Sequence, residues 1–562
     1  MDGKKLRESI ISRWTVLKQE REPFMSQWLE ISQHVTPASG RFVESTQKGN
    51  QAKERFNRIY NNTSLRAANI CAAGMQSGMT DESTQWFALT TGDEKLDASY
   101  DVKVYLDECQ RVMEMAFSKS NIYPSFQHCW REVATMGICA NVILEDDEVG
   151  FYCQPLTIGE YAVAADYRGR IDTLYRMFTM TAAQLVEQYG LDVVGRNVVQ
   201  AYEQRPDKTF RVLHAIEPRK IRERGKEDNL NMPFQSVVLL IDGVDGTKGH
   251  GVLEESGYHE FPAVVGRWGA SATSVYSEES PGMVAIGDTK QMRHQYLQKG
   301  NALDYQVNPA LLLPESAKDH ELDFLPGGRS YVSNPTSADQ VKPAFDVNIP
   351  LGDINADIME AQNRINAAFY VDMFLMLTGR TKEMTAYEVA QRNEEKLVQL
   401  GPVFSRLNNE MLRGTIERVF NILQRAGQLP QPPESLAGRP LSVEYTSMLA
   451  KAQRSIRAAS LRNYLADLGM VAQMKPEILS KVNPFAIADE FADYHSVAPS
   501  VVVPTEEAQE AIAQQQQAMA QAEQQAQMAQ GIDSLAKLGK IPAGNETMAG
   551  QAMQGLGEMM QQ

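Results

Sequence analysis

A chain of 562 residues with 43% hydrophobic and 22% charged side chains has the composition of a folded globular protein, long enough to bury more than one core. Its formal net charge of -16, with no long Lys/Arg run, excludes a surface that sheathes nucleic acid tightly, so any contact with DNA is local or weak. The same sign keeps a protein soluble, and it also suits a wall past which DNA slides, since like charges repel. Five cysteines (Cys71, Cys109, Cys129, Cys139, Cys153), an odd number without a CxxC pair, argue for reduced folding and against a disulfide framework or zinc site. The charged start MDGKKLRESIISRW lacks the apolar core of a secretory signal. The longest apolar stretch, Ala367 to Leu377, carries Asp372 and is far shorter than the ~20 residues of a membrane span.

Residues 1–35 repeat Leu6, Ile10, Trp14, Leu17, Trp28 and Ile31 near helical spacing, and further helices are expected over Ser64–Gly78 and Asp101–Lys119. From Asn141 the pattern alternates. NVILEDDEVGFYCQPL reads as two strands around an acidic turn, YAVAADYRGRIDTLYRMF as two more around Arg168-Gly169, and VVLLIDGVDG and FPAVVGRW as further strands. Ser280-Pro281 opens a long helix, hydroxyl cap before proline, running to about Leu303. Residues 304–350 hold eight Pro or Gly punctuation points and read as an insertion between helices. Residues 351–378 place Ile354, Ile358, Ala361, Ile365 and Ala368 on one stripe of a second long helix. Thr385 to Glu388 form a capping box, Thr385 as N-cap and Glu388 at N3, for a third helix to about Arg425, which Gly401-Pro402 kinks. After the linker QLPQPPESLAGRP an α-rich unit is expected over 441–500, with helices near Lys451–Leu468 and Pro476–Val482. Beyond Pro504 the chain is Ala, Gln and Met rich, with a thin stripe of Ile512, Met519, Ala522 and Ala526, either a helix held by copies of itself or a loose tail. The fold class is α+β, mainly α.

Chemistry-bearing motifs are sparse. No GxxxxGK[ST] phosphate cradle occurs, which argues against an ATP-driven motor. His259-Glu260 and His320-Glu321 begin like zinc-protease motifs, but position i+4 is Ala263 or Phe324. Glu145, Asp146, Asp147 and Glu148 read as a hairpin turn in preference to a cation site, and Trp86, Phe87 and Trp130 as core in preference to a ligand groove. The residues point to no catalytic group, no metal and no cofactor.

Three strings together are similar to the portal, or head-to-tail connector, family of short-tailed bacteriophages (podoviruses) over essentially the whole chain. They are IYNNTSLRAANICAAGMQSGMTDESTQWFAL from Ile59, SEESPGMVAIGDTKQM from Ser277, and TAYEVAQRNEEKLVQLGPVFSRLNNEML from Thr385. The last is the most specific and resembles the family pattern at Thr385, Ala386, Glu388, Arg392, Glu395, Gly401, Pro402, Arg406, Leu407 and Glu410. Glu388 and Arg392, one turn apart, can pair for only a few tenths of a kcal/mol, so the string reads as shape.

The resemblance implies a portal fold in a ring, usually of twelve copies. It divides the chain into a mixed α/β wing (1–276), stem helix 1 (277–303), clip (304–350), stem helix 2 (351–378), channel loop (379–384), kinked wing helix (385–430), crown (431–504) and a barrel or flexible tail (505–562). Arg380 and Lys382 would touch DNA phosphates from the channel loop or be solvated loop charge, and Asp353, Asp357 and Glu360 are candidates for the channel face of the stem. The implied function is a non-enzymatic conduit for packaging and ejection at the capsid vertex of a virion assembled in the host cytoplasm. The implied partners are the major capsid protein, scaffolding protein, terminase large subunit, tail adaptor or tail tube protein, internal core proteins and non-specific double-stranded DNA, with no membrane. The competing readings are another virion structural protein, such as an internal core or tail-tube subunit, and a packaging ATPase or nuclease.

Overall fold

The computed structural model describes residues 3–41, 59–97, 99–223, 225–226, 228–242, 244, 250–269, 274–307, 311–312, 342–343, 351–378, 400–436, 442–445, 460–471, 475, 481–494, 501–503 and 505–538. The chain divides into two compact units, Met1–Asp97 with Tyr105–Ile456 and Ala98–Val104 with Arg457–Gln562.

The first unit begins with helix α1 (Gly3–His34), whose Leu6, Ile10, Trp14, Leu17, Trp28 and Ile31 are all buried, as their spacing requires. Helices α2 (Thr63–Met79), α3 (Tyr100–Lys119, of which Tyr100–Val104 group with the second unit) and α4 (Ile122–Met136) follow, with strand β1 (Phe87–Thr90) between α2 and α3. The two expected hairpins form: β2 (Ile138–Asp146) pairs β3 (Gly150–Leu156), and β4 (Tyr161–Ala165) pairs β5 (Ile171–Thr181), all antiparallel. Each turn is closed by an aspartate. Asp146 Oδ1 accepts from the amides of Glu148 and Val149, and Asp166 Oδ1 from those of Arg168 and Arg170.

Two sheets result. One, in the order β3-β2-β9, adds β9 (Ala263–Arg267). The other, β4-β5-β6-β7-β8, adds β6 (Thr209–Pro218), β7 (Phe234–Leu240) and β8 (Val252–Tyr258). The five-stranded sheet is buried on both faces. Leu213, Ala215, Val237 and Leu239 pack on α1, and the alternate residues Val212, Val238 and Leu240 pack on α5 (Ala182–Tyr189) and α6 (Arg196–Gln204). That double burial explains the unbroken apolar run VVLL. The short helices α5 and α6 and strands β6 and β8 go beyond the expected elements. The signal for α5 was the capping box that Thr181 and Gln184 complete at its start.

The long helix opened by Ser280 is α7 (Pro281–Val307), four residues longer than expected. Two-residue strands β10 (Leu311–Leu312) and β11 (Lys342–Pro343) pair antiparallel in the insertion. The helix expected over 351–378 is a correction: it is two helices, α8 (Leu351–Ala368) and α9 (Val371–Thr378), broken at Phe369-Tyr370. A single straight helix would turn Val371 about 200° away from Phe369, so both could not be buried on one face. The break buries Phe369, Val371, Met373 and Phe374 together. Residues 400–407 are helical, Asn408–Leu412 form a π-helical turn, and α10 (Arg413–Arg425) continues. Strand β12 (Ser442–Tyr445) pairs β1, so these residues join the first unit, although the sequence suggested that an α-rich unit starts at 441.

In the second unit residues 460–471 are helical, and Asn483 Oδ1 accepts from the amides of Phe485 and Ala486 at the start of α11 (Pro484–Tyr494). This helix lies just beyond the one expected at Pro476–Val482; of that span 476–480 lie outside the described residues, and 481–482 are not α-helical. Helix α12 (Thr505–Leu538) follows for 34 residues, with Ile512 and Met519 exposed.

One polar group is held deep in the first unit. Glu132 of α4 is wholly buried, accepts from the Ile158 amide at 3.0 Å, and has His128 Nε2 at 3.5 Å. Burial, with the neighbouring Glu160 carboxylate adding to it, pushes the Glu132 carboxyl well above the usual carboxylate range. The native state therefore keeps a proton that the unfolded chain gives up near pH ~4.3. Stability is full below that pH and declines by up to about 1.4 kcal/mol per pH unit until the raised native value is passed. Glu132→Gln keeps the acceptor for Ile158 and removes the ionisation. Urea midpoints measured from pH 4.5 upward are expected to fall less steeply in this variant than in the unsubstituted protein.

Candidate functional site: a helix pair and its anchorage

Helices α7 and α8 form a pair running in opposite directions. Asp288 of α7 meets Arg364 at 2.9 Å, and Tyr296, two turns further on, takes a hydrogen bond from Gln362, which comes earlier in α8. The base of α7 is built into the body. The Ser280 hydroxyl accepts from the Met283 amide at 3.1 Å as the expected cap and donates to the Thr135 carbonyl of α4 at 2.8 Å. Gly282 lies so close to α4 that a Cβ there would stand 2.3 Å from the Thr135 carbonyl oxygen and 2.7 Å from its Cα. Further along, Thr289 shares a hydrogen bond with Ser64 of α2, and Lys290 pairs with Glu30 of α1.

Beyond Met292 the burial of α7 ends except at Ala302; Leu297, Leu303, Tyr305 (58% exposed) and Val307 (75% exposed) face solvent. On α8, Ile358, Ala361 and Ile365 are buried while Met359 is 63% exposed. The candidates Asp353, Asp357 and Glu360 are all exposed on one face of α8, spaced i, i+4, i+7, with Glu360 paired to Arg364 at 2.7 Å. The pair is thus a bracket anchored at one end that presents carboxylates and bare apolar side chains toward the other.

The specific string that begins at Thr385 is described only in its second half. Arg380, Lys382, Thr385, Ala386, Glu388, Arg392 and Glu395 lie outside the described residues, as does any chain before 400 from which a kink could be measured. Gly401 and Pro402 are helical, and a Cβ on Gly401 would meet nothing within 4 Å. The remaining three residues converge on the end of β9. Arg406 donates to the Trp268 carbonyl at 2.9 Å, Leu407 lies against Gly266, and Glu410 takes a bidentate pair from Arg267, at 2.5 Å from Nη2 and 3.0 Å from Nε. The π-helical turn that contains Glu410 sits at this contact. Two to four turns on, the buried Arg418 and the partly exposed Arg425 bridge Glu260 and Glu145, and Asn421 donates to Glu260.

Among the described residues, motifs that suggested other chemistry are spent on structure, while His320 and Glu321 lie outside those residues. Glu260 and Glu145 serve these arginines, and Asp146 serves its turn. Trp86 stacks on Phe117, Phe87 packs against the same ring at a tilt, and the buried Trp130 donates to Thr80. All five cysteines are buried and free. Among the described residues no three His, Cys, Asp or Glu side chains are placed to hold a metal, and no helix is long and apolar enough to cross a membrane.

Residues 7–503 match the sequence pattern of the family described as "Bacteriophage head to tail connecting protein". The chain belongs to this family. It is 41% identical over 497 residues, 88% of each chain, to the "Probable portal protein" of Bordetella phage BPP-1. It is 37% identical over 490 residues, 87% of each chain, to the "Portal protein" of Salmonella phage epsilon15. Among solved structures it resembles a chain in the neck of an empty GTA particle computed with C6 symmetry, at 11% identity and a TM-score of 0.32, over 73% of this chain and 86% of that one, an overlap too loose to carry an argument.

Portal proteins are structural connectors and not enzymes, so the geometry that matters is that of surfaces and anchors. Two residues of this connector were missed by sequence reasoning. Gly282 had a signal, since glycine in the first turn of a helix that needs no bend points to a close backbone approach. Arg267 had none, because its partner lies 143 residues away.

Proposed function

We propose that the protein is the portal subunit at the unique vertex of a phage head, a structural connector through which DNA enters during packaging and leaves during ejection. The observation that carries this reading is the family match over residues 7–503, together with 41% identity to a relative named as a portal protein. In this reading the copies close a ring, usually of twelve, assembled in the host cytoplasm and retained in the virion. Docking partners are the major capsid protein and scaffolding protein during assembly, then the terminase large subunit, then the tail adaptor or tail tube protein, with internal core proteins at the head side. Residues 1–276 and 385–430 serve as wing, 277–303 and 351–378 as stem, 304–350 as clip, 431–504 as crown and 505–562 as barrel or tail.

The anchored bracket of α7 and α8 supports a stem, and the exposed carboxylates Asp353, Asp357 and Glu360 support a channel wall that repels phosphates and lets DNA slide. Arg380 and Lys382 in the 379–384 loop would make the few phosphate contacts, without base readout. Helix α12, whose Ile512 and Met519 are bare within its own unit, supports a barrel formed between copies.

Light scattering with negative-stain imaging of the purified protein tests the reading. Twelve copies of 62.7 kDa give a particle of about 750 kDa with a central hole. Particles with ATPase or nuclease turnover and no channel would overturn it. The exposed end of α7 gives a sharper variant: replacing Tyr305 and Val307 by aspartate removes two large apolar contacts between copies without touching the core. The expected outcome is a shift of mass from the ring to 62.7 kDa chains with unchanged circular dichroism.

A further inference from the structure

The chain of the α7–α8 pair enters the body at two ends that differ in kind. At the first, the hydrogen bond from Ser280 and the contact of Gly282 with Thr135 leave no room for movement. At the second, between α8 and α9, the chain breaks without glycine or proline, and Tyr370 takes φ +54°, a left-handed conformation that L side chains adopt reluctantly. Its amide reaches back to the Ala367 carbonyl at 3.1 Å, and its carbonyl accepts the Phe374 amide at 3.1 Å, starting α9.

Local preference and packing oppose each other here. From Asp353 to Thr378 the sequence holds no Gly or Pro, and its apolar stripe runs through Ile358, Ala361, Ile365 and Phe369, so one straight helix is the local choice. The break is held from outside. The Phe374 ring fills the space that a Cβ on Gly74 of α2 would occupy, and the Tyr370 ring stacks on Trp268 with centroids 6.3 Å apart. Trp268 is the residue whose carbonyl Arg406 binds, so the break is also in touch with the helix that carries the family string.

We propose that Phe369-Tyr370 is a hinge, a two-state joint at which residues 351–378 are either broken, as in this structure, or one continuous helix with α9 released from Gly74 and Trp268. The bracket is then rigid at its α7 base and movable at its α8 base. A change of contacts on α9 or around Trp268 would be transmitted to α8 as a change of helix direction.

The test compares Tyr370→Gly with Tyr370→Ala. Both lose the stack on Trp268, so their difference reads the backbone alone: glycine accepts the left-handed position, whereas alanine favours the continuous helix. Spin labels at Asn363→Cys and Leu375→Cys, both exposed positions, report on the joint in the full-length protein diluted with unlabelled chain, and the native cysteines are all buried. A straight helix separates the two positions by about 18 Å along its axis, and the break shortens that. The expected result is a single short distance in Tyr370→Gly and an added straight-helix population in Tyr370→Ala, about five- to thirty-fold larger relative to the broken state. Superimposable distributions in the two variants, or a longer distance in Tyr370→Gly, would overturn the hinge and leave a fixed corner.

Discussion

Replacing Gly282 by alanine is expected to lower stability by about 3–5 kcal/mol and to prevent assembly, whereas the same exchange at Gly287, five residues along the same helix, raises it by about 1 kcal/mol. The contrast follows from what a Cβ would meet. At 282 the nearest atoms are the oxygen, Cα and carbonyl carbon of Thr135, at 2.3, 2.7 and 2.9 Å, all backbone of a buried helix that cannot swing aside. At 287 nothing lies within 4 Å. To admit the methyl, the first turn of α7 must withdraw from α4. That movement breaks the hydrogen bond from Ser280 and leaves the buried Thr135 carbonyl without its hydroxyl partner. A loss of this size is a large share of the ~5–15 kcal/mol that holds a typical domain folded. Urea midpoints of the two variants, with light scattering on each, check the expectation; equal midpoints would refute the close-contact argument.

Removing Arg267 is expected to cost about 3 kcal/mol, the second largest effect. The residue is 8% exposed, and its guanidinium grips both oxygens of Glu410 and also donates to the carbonyls of Val275 and Gly169. Arg267→Ala strands a carboxylate in the crevice between β9 and the π-helical turn. Arg267→Lys recovers little, because an ammonium cannot make the forked contact and reach the two carbonyls at once. The diagnostic measurement is a double-mutant cycle with Glu410→Ala. Once Arg267 is gone, losing the carboxylate relieves a stranded charge, so the double variant is expected to be more stable than the sum of the single effects predicts, by more than about 1 kcal/mol. Strict additivity would show that the pair does not hold the helix to the sheet. Raising salt to 1 M is expected to change the coupling little, since the pair is largely shielded from solvent.

These two contacts mark the boundary of what could be read from the chain. The hairpins closed by Asp146 and Asp166 were legible because alternation of period two and turn chemistry are local properties. The start of α7 was legible at Ser280 for the same reason, and so was the buried stripe of α1. Short helices such as α5, two turns long, carry too few periods to stand out, and β6 and β8 were recognisable only once their neighbours in the sheet were known. The break at Tyr370 ran against every local signal. Its cause is Phe374 seated on Gly74, a contact between distant parts of the chain.

The sequence by itself determined the class of the protein and its family: composition, the absence of a phosphate cradle, and a string in which Gly401, Pro402, Arg406, Leu407 and Glu410 stand in a characteristic order. It also set which residues of each long helix turn inward, because that depends on spacing along the chain. Only the tertiary structure decided what those residues are for. It turned Arg406, Leu407 and Glu410 into a dock on β9, made Gly282 a seat for the base of α7, and broke the helix that the sequence favoured over 351–378. The physical reason is range. Periodicity, capping and turns act within about four residues, whereas close packing and buried charge pairs join residues whose proximity exists only after the chain has folded.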